Sequence, residues 1–84
     1  MQIFFGFFAY NFNEMFDTKI FCNRLKELRK DANISSVALA KILEVSDTTI
    51  LRWEKGKMLP TIDKLYYLSK YFKVSTDYLL GLED

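Results

Sequence analysis

Val45-Ser46-Asp47-Thr48-Thr49-Ile50-Leu51-Arg52-Trp53-Glu54-Lys55-Gly56-Lys57 is the stretch that decides the fold. Ser46 is a good helix N-cap, because its hydroxyl can accept a first-turn backbone N–H, and Gly56 supplies the left-handed residue that ends such a helix. The helix is then only about two and a half turns long. Within it Ile50 and Trp53 share one face at i,i+3, while Asp47, Thr48, Leu51, Arg52 and Lys55 fall on the other. One side is built to pack, and the other is free to touch a partner.

Working outward, Ser35 can cap a helix running to Leu43 with Leu39, Ala40 and Leu43 turned inward, and only Glu44-Val45 separates it from the next helix. Two short helices on so brief a turn form a helix-turn-helix. Ala40 and Ile50 fall where the two helices cross, and the small side chain at 40 permits close approach. Upstream, Phe21, Leu25, Leu28 and Ala32 line one face of a helix expected to start near Asp17 or Thr18 and to end at Asn33. Ile34 then turns back to the core. Downstream of Pro60, Thr61 can cap a fourth helix with Ile62, Leu65, Leu68 and Phe72 as its apolar stripe, and Ser75 a short fifth helix ending at Gly81. The sum is an all-α bundle of five helices.

Eighty-four residues suit one small core and leave no room for a ligand-sensing domain beside it. The formal net charge is only +1, so global basicity says nothing about a polyanionic partner. Between Arg24 and Lys57, however, eight basic residues face five acidic ones, a local excess that sits on the proposed contacting segment. The one cysteine, Cys22, reads as a small buried side chain beside Phe21, which agrees with the reducing cytoplasm. An enzyme has almost no support: the chain has no His, and it carries no metal-ligand spacing or phosphate-cradling Gly loop, so neither metal nor cofactor is expected.

Phe21 through Gly81 resembles the Cro/CI-type, or xenobiotic-response-element type, helix-turn-helix domain of phage repressors and small bacterial regulators. The matching residues run through all five helices in order: Arg24-Leu25-Lys26-Glu27-Leu28-Arg29, Leu39-Ala40, Leu43, Val45-Ser46, Ile50, Trp53-Glu54, Gly56, Pro60, Leu65, Leu68, Val74-Ser75, Asp77 and Leu79-Leu80-Gly81. The resemblance implies a five-helix lambda-repressor-like DNA-binding domain over residues 15–84. It would lay helix 46–55 in the major groove, bind operator half-sites as a homodimer, and repress rather than activate. It also implies a partly buried ion pair between Arg29 and Glu54 that ties the first helix to the third; a phosphate contact is the other reading of Arg29. The chain departs from the family pattern at Asn33 and Glu44, where Gly is usual, and at Ser36, where Gln is usual.

On the exposed face Thr48 and Arg52 are the leading candidates for base contacts, since Arg pairs bidentately with guanine and Thr offers a hydroxyl and a methyl suited to thymine. Asp47 either accepts from cytosine or simply favours the positive end of the helix dipole. Thr49 and Leu51 either contribute a methyl contact or face phosphate, and the sequence leaves both open. Ser36, Thr49, Lys55 and Lys57 are the candidates for phosphate. Tyr66, Tyr67, Tyr71, Tyr78 and Leu82 are candidates for a dimer interface. The rival class is a helix-turn-helix kept as a protein-interaction module, antitoxin-like or an anti-repressor partner, motivated by the modest net charge and Asp47.

Residues 1–14, Met-Gln-Ile-Phe-Phe-Gly-Phe-Phe-Ala-Tyr-Asn-Phe-Asn-Glu, stand outside the pattern. Three readings are open: Met15 is the natural start, the aromatic run is a β-arm or packs on the domain and is exchanged between subunits, or it attaches to a membrane. The last ranks lowest, because the run falls short of the ~18–20 residues that span a bilayer and lacks the basic flank of a signal peptide.

Overall fold

The computed structural model describes residues 16–84. The three readings of residues 1–14 and the boundary at Met15 lie outside the described residues. Five helices follow in order: α1 Thr18–Asp31, α2 Ser36–Leu43, α3 Asp47–Lys55, α4 Ile62–Phe72 and α5 Thr76–Leu80.

Each helix begins at a residue in extended backbone, and four of the five starts are capped by the side chain of that residue. Asp17 accepts from the Lys19 amide, Ser35 from Ala38, Ser46 from Thr49 and Ser75 from Tyr78. Thr61 holds the same position before α4 but caps nothing; its hydroxyl instead donates to the Asp63 carboxylate and holds that carboxyl below its usual range. The helix ends share one device, a left-handed residue at or just past the terminus: Asn33, Glu44, Gly56, Lys73 and Gly81. In each case the next amide turns back into the last turn, as Val45 does to Ala40 at 2.9 Å and Lys57 to Arg52 at 2.9 Å.

The core is assembled from Phe21 and Leu25 of α1, Leu39, Ala40 and Leu43 of α2, Ile50 and Trp53 of α3, Leu68 of α4 and Leu79 of α5. Leu28, Ile34, Val45, Leu65, Phe72 and Val74 close its edges. Loss of any one of the fully buried leucines to Ala would cost about 2–5 kcal/mol. The α2–α3 pair rests on α1 through α3, and α5 packs against both α1 and α4, so the exposed side of α3 points away from the body.

Two expectations from periodicity and one from the dimer-interface candidates need correction. Ala32 is exposed, because α1 stops at Asp31 and the left-handed Asn33 sends Ile34 inward in its place. Ile62 is 86% exposed; as the first residue of α4 its side chain leans past the helix start, where nothing packs against it. Tyr78, read as free for a dimer interface, is half-buried, with the Arg24 guanidinium 4.2 Å above its ring.

Candidate nucleic-acid interface

α3 is amphipathic because its apolar residues recur at i,i+3. Ile50 is fully buried and Trp53 is 2% exposed, which fixes the helix by its inner side. Asp47, Thr48, Leu51, Arg52 and Lys55 are all exposed on the outer side, and Lys57 is exposed just beyond the left-handed Gly56. Thr49 sits between the two sides, half-buried, with its hydroxyl 2.8 Å from the Ser46 hydroxyl and its amide donating to Ser46 Oγ at 3.1 Å. That pair stiffens the first turn of the helix.

α3 is anchored to α1 by charge as well as by packing. Arg29 Nε donates to Glu54 Oε2 at 2.5 Å and its NH2 to Glu54 Oε1 at 3.0 Å, a two-point fork that suits the planar guanidinium. The same guanidinium donates through NH1 to the Ile34 carbonyl at 3.0 Å. The bond to the Glu54 carboxylate, more than partial burial opposes it, raises the Arg29 pKa above its ordinary value. With its fork and a third donor all used inside the domain, Arg29 works as a brace.

At the start of α2, Ser36 is half-buried, and the N-cap Ser35 lines an open hollow of about 320 Å3 with Arg29, Lys30, Asn33 and Ile34. A helix N-terminus beside basic side chains favours an anion. Among the described residues no group of His, Cys, Asp and Glu could hold a metal ion, and no helix is long and apolar enough to cross a membrane.

Two tertiary contacts have no local signal in the sequence. Lys64 of α4 donates to the Leu43 carbonyl at the end of α2 at 2.7 Å. Arg24 of α1 donates to the carbonyls of Tyr78 and, at 2.7 Å, Glu83, which clamps the end of α5 to the first helix. Both pairs are distant in sequence, so no spacing rule exposes them.

The comparisons with known proteins agree with this geometry. The model of the helix-turn-helix domain family matches residues 22–84, so the chain belongs to that family. Within it the fold is of the phage-repressor type. The crystal structure of the P22 c2 repressor protein in complex with a synthetic operator superposes with a TM-score of 0.72 at 34% identity, covering 76% of this chain and 97% of that one. The repressor protein C2 of Salmonella phage P22 is 36% identical over 64 residues, 76% of this chain. The HTH-type transcriptional activator BcrR of Enterococcus faecalis is 41% identical over 64 residues, also 76% of this chain. The chain spans about a third of the length of these two curated relatives, 30% and 31%.

Proposed function

We propose that the chain is a sequence-specific DNA-binding transcriptional regulator, in which α3 enters the major groove and Thr48, Leu51, Arg52 and Asp47 meet base edges. The observation that carries this reading is the division of α3: Ile50 and Trp53 hold it rigidly from beneath, while Thr48 and Arg52 stand exposed on the outer side. Ser36 at the start of α2, with Thr49, Lys55 and Lys57 around α3, contacts phosphates and sets the register. The relative whose solved structure holds operator DNA has the same fold over the same segment.

A domain of this size reaches few base pairs, so it binds as a homodimer to half-sites spaced about one helical turn, 10–10.5 bp, or a multiple of it. Tyr66, Tyr67, Tyr71 and Leu82 are exposed and available to that interface. The protein acts in the cytoplasm and represses, since a bound domain can block polymerase by occupying the operator. A reporter that rises when the operator is supplied with this protein would instead assign it the activating role of its Enterococcus relative.

The decisive experiment selects bound sites from random DNA and repeats the selection with Arg52→Ala. Loss of preference at one base pair with residual nonspecific affinity supports Arg52 as a reader, at a cost of about 1–3 kcal/mol at that position. Affinity should also fall steeply with ionic strength, because phosphate contacts release counterions. Failure to enrich any sequence, together with salt-insensitive capture of a protein partner, would favour the protein-interaction module.

A further inference from the structure

The turn that connects α2 to α3 is a joint under load. Glu44 ends α2 in the left-handed region, with φ 59° and ψ 45°, a conformation that crowds an L side chain. The amides that follow turn back into α2: Glu44 reaches the carbonyls of Ala40 and Lys41, and Val45 that of Ala40. The Leu43 carbonyl lies one residue before the joint, at the negative end of the helix, where no amide of α2 can reach it.

Lys64 fills that place. It comes from α4, is half-buried, and its ammonium donates to the Leu43 carbonyl at 2.7 Å. It lines a hollow of about 220 Å3 with Ile42, Leu43, Glu44 and Tyr67. A lysine serving the solvated surface would extend into water. This one spends its charge on a backbone carbonyl of another helix.

We propose that Lys64 is a positioning residue for the reading helix. By satisfying the last carbonyl of α2 it pins the left-handed turn at Glu44 to α4, and the direction in which the chain leaves that turn sets the angle at which α3 is presented. The proposal rests on the DNA-binding reading for its consequence, and on the turn geometry alone for its cause.

The test uses the full 84-residue chain with Lys64→Met, which keeps an aliphatic stem of similar length, and Lys64→Arg, which restores the cation. Without DNA, Lys64→Met should speed amide exchange at Glu44 and Val45 about 5- to 10-fold, a local opening of the turn. It should also shift the amide resonances of Thr48 to Arg52, and Lys64→Arg should reverse both effects. With DNA, measured well below the melting midpoint, affinity for the selected operator should fall about 5- to 10-fold. Nonspecific affinity and the salt slope should stay as in the parent chain.

Unchanged exchange and resonances would overturn the proposal whatever the DNA result. A salt slope shallower by about one unit would make Lys64 a phosphate contact instead. A loosened turn with undiminished operator preference would reduce it to a structural staple. A parent chain with no sequence preference would break the DNA-binding reading itself, and the exchange data distinguish that failure from failure of the Lys64–Leu43 link.

Discussion

Gly56 and Gly81 end α3 and α5 against α1, whereas Asn33, Glu44 and Lys73 end α1, α2 and α4 toward water, although all five have left-handed backbone. The difference lies in what a side chain would meet. A Cβ on Gly56 would lie 3.2 Å from Cys22 Sγ, and one on Gly81 3.0 Å and 3.1 Å from the two terminal carbons of Ile20. Both obstacles belong to α1. At the other three ends the side chain points outward and only the backbone preference remains, which Asn meets best. Glycine is thus retained here where both torsion and space demand it.

Changes on the α1 side should have the largest effect. Glu54→Ala should destabilise the domain by about 3 kcal/mol, because it leaves the partly buried Arg29 fork without its carboxylate. Urea denaturation measures this, and a loss below about 1 kcal/mol, the range of an exposed pair, would mean the pair is screened by solvent. Next come the two glycines. Gly81→Ala should cost about 2–3 kcal/mol, torsional strain plus overlap with a branched side chain. Gly56→Ala should cost less, about 1–2 kcal/mol, since its obstacle is a single sulfur that can shift. Adding Cys22→Ala should recover part of the Gly56→Ala loss and none of the Gly81→Ala loss; equal recovery in both would refute the local steric account.

The outward ends should respond in the opposite sense and more weakly. Glu44→Gly and Lys73→Gly should each stabilise by about 0.5–1 kcal/mol, the relief of left-handed strain less the entropy that glycine adds to the unfolded chain. Glu44→Gly should do so without abolishing DNA binding. A melting temperature that stays level or falls would show that the turn gains something from its glutamate.

Much of this was legible because the relevant physics is local. Ser35, Ser46 and Ser75 announce helix starts through a hydroxyl placed before an apolar repeat. Ile50 and Trp53 announce the buried side of α3 by spacing alone. Periodicity misleads at the two ends of a stripe, Ala32 just past α1 and Ile62 in the first position of α4, since it says which side a residue takes and not whether anything waits there. Tyr78 escapes a sequence reading for a different reason: its cover, Arg24, arrives from 54 positions away. In the candidate site the exposed face of α3 could be read directly. The brace from Lys64 could not, because a lone lysine on α4 looks the same whether it reaches water or a distant carbonyl.

The chain has one tryptophan, and it is Trp53, sealed on the inner side of α3 with an indole N–H that meets no acceptor among the described residues. A natural fluorophore thus lies on the underside of the helix proposed to meet DNA. Its emission reports the seating of that helix without a label, and a shift on adding DNA would reveal that recognition lifts the rod from its bed.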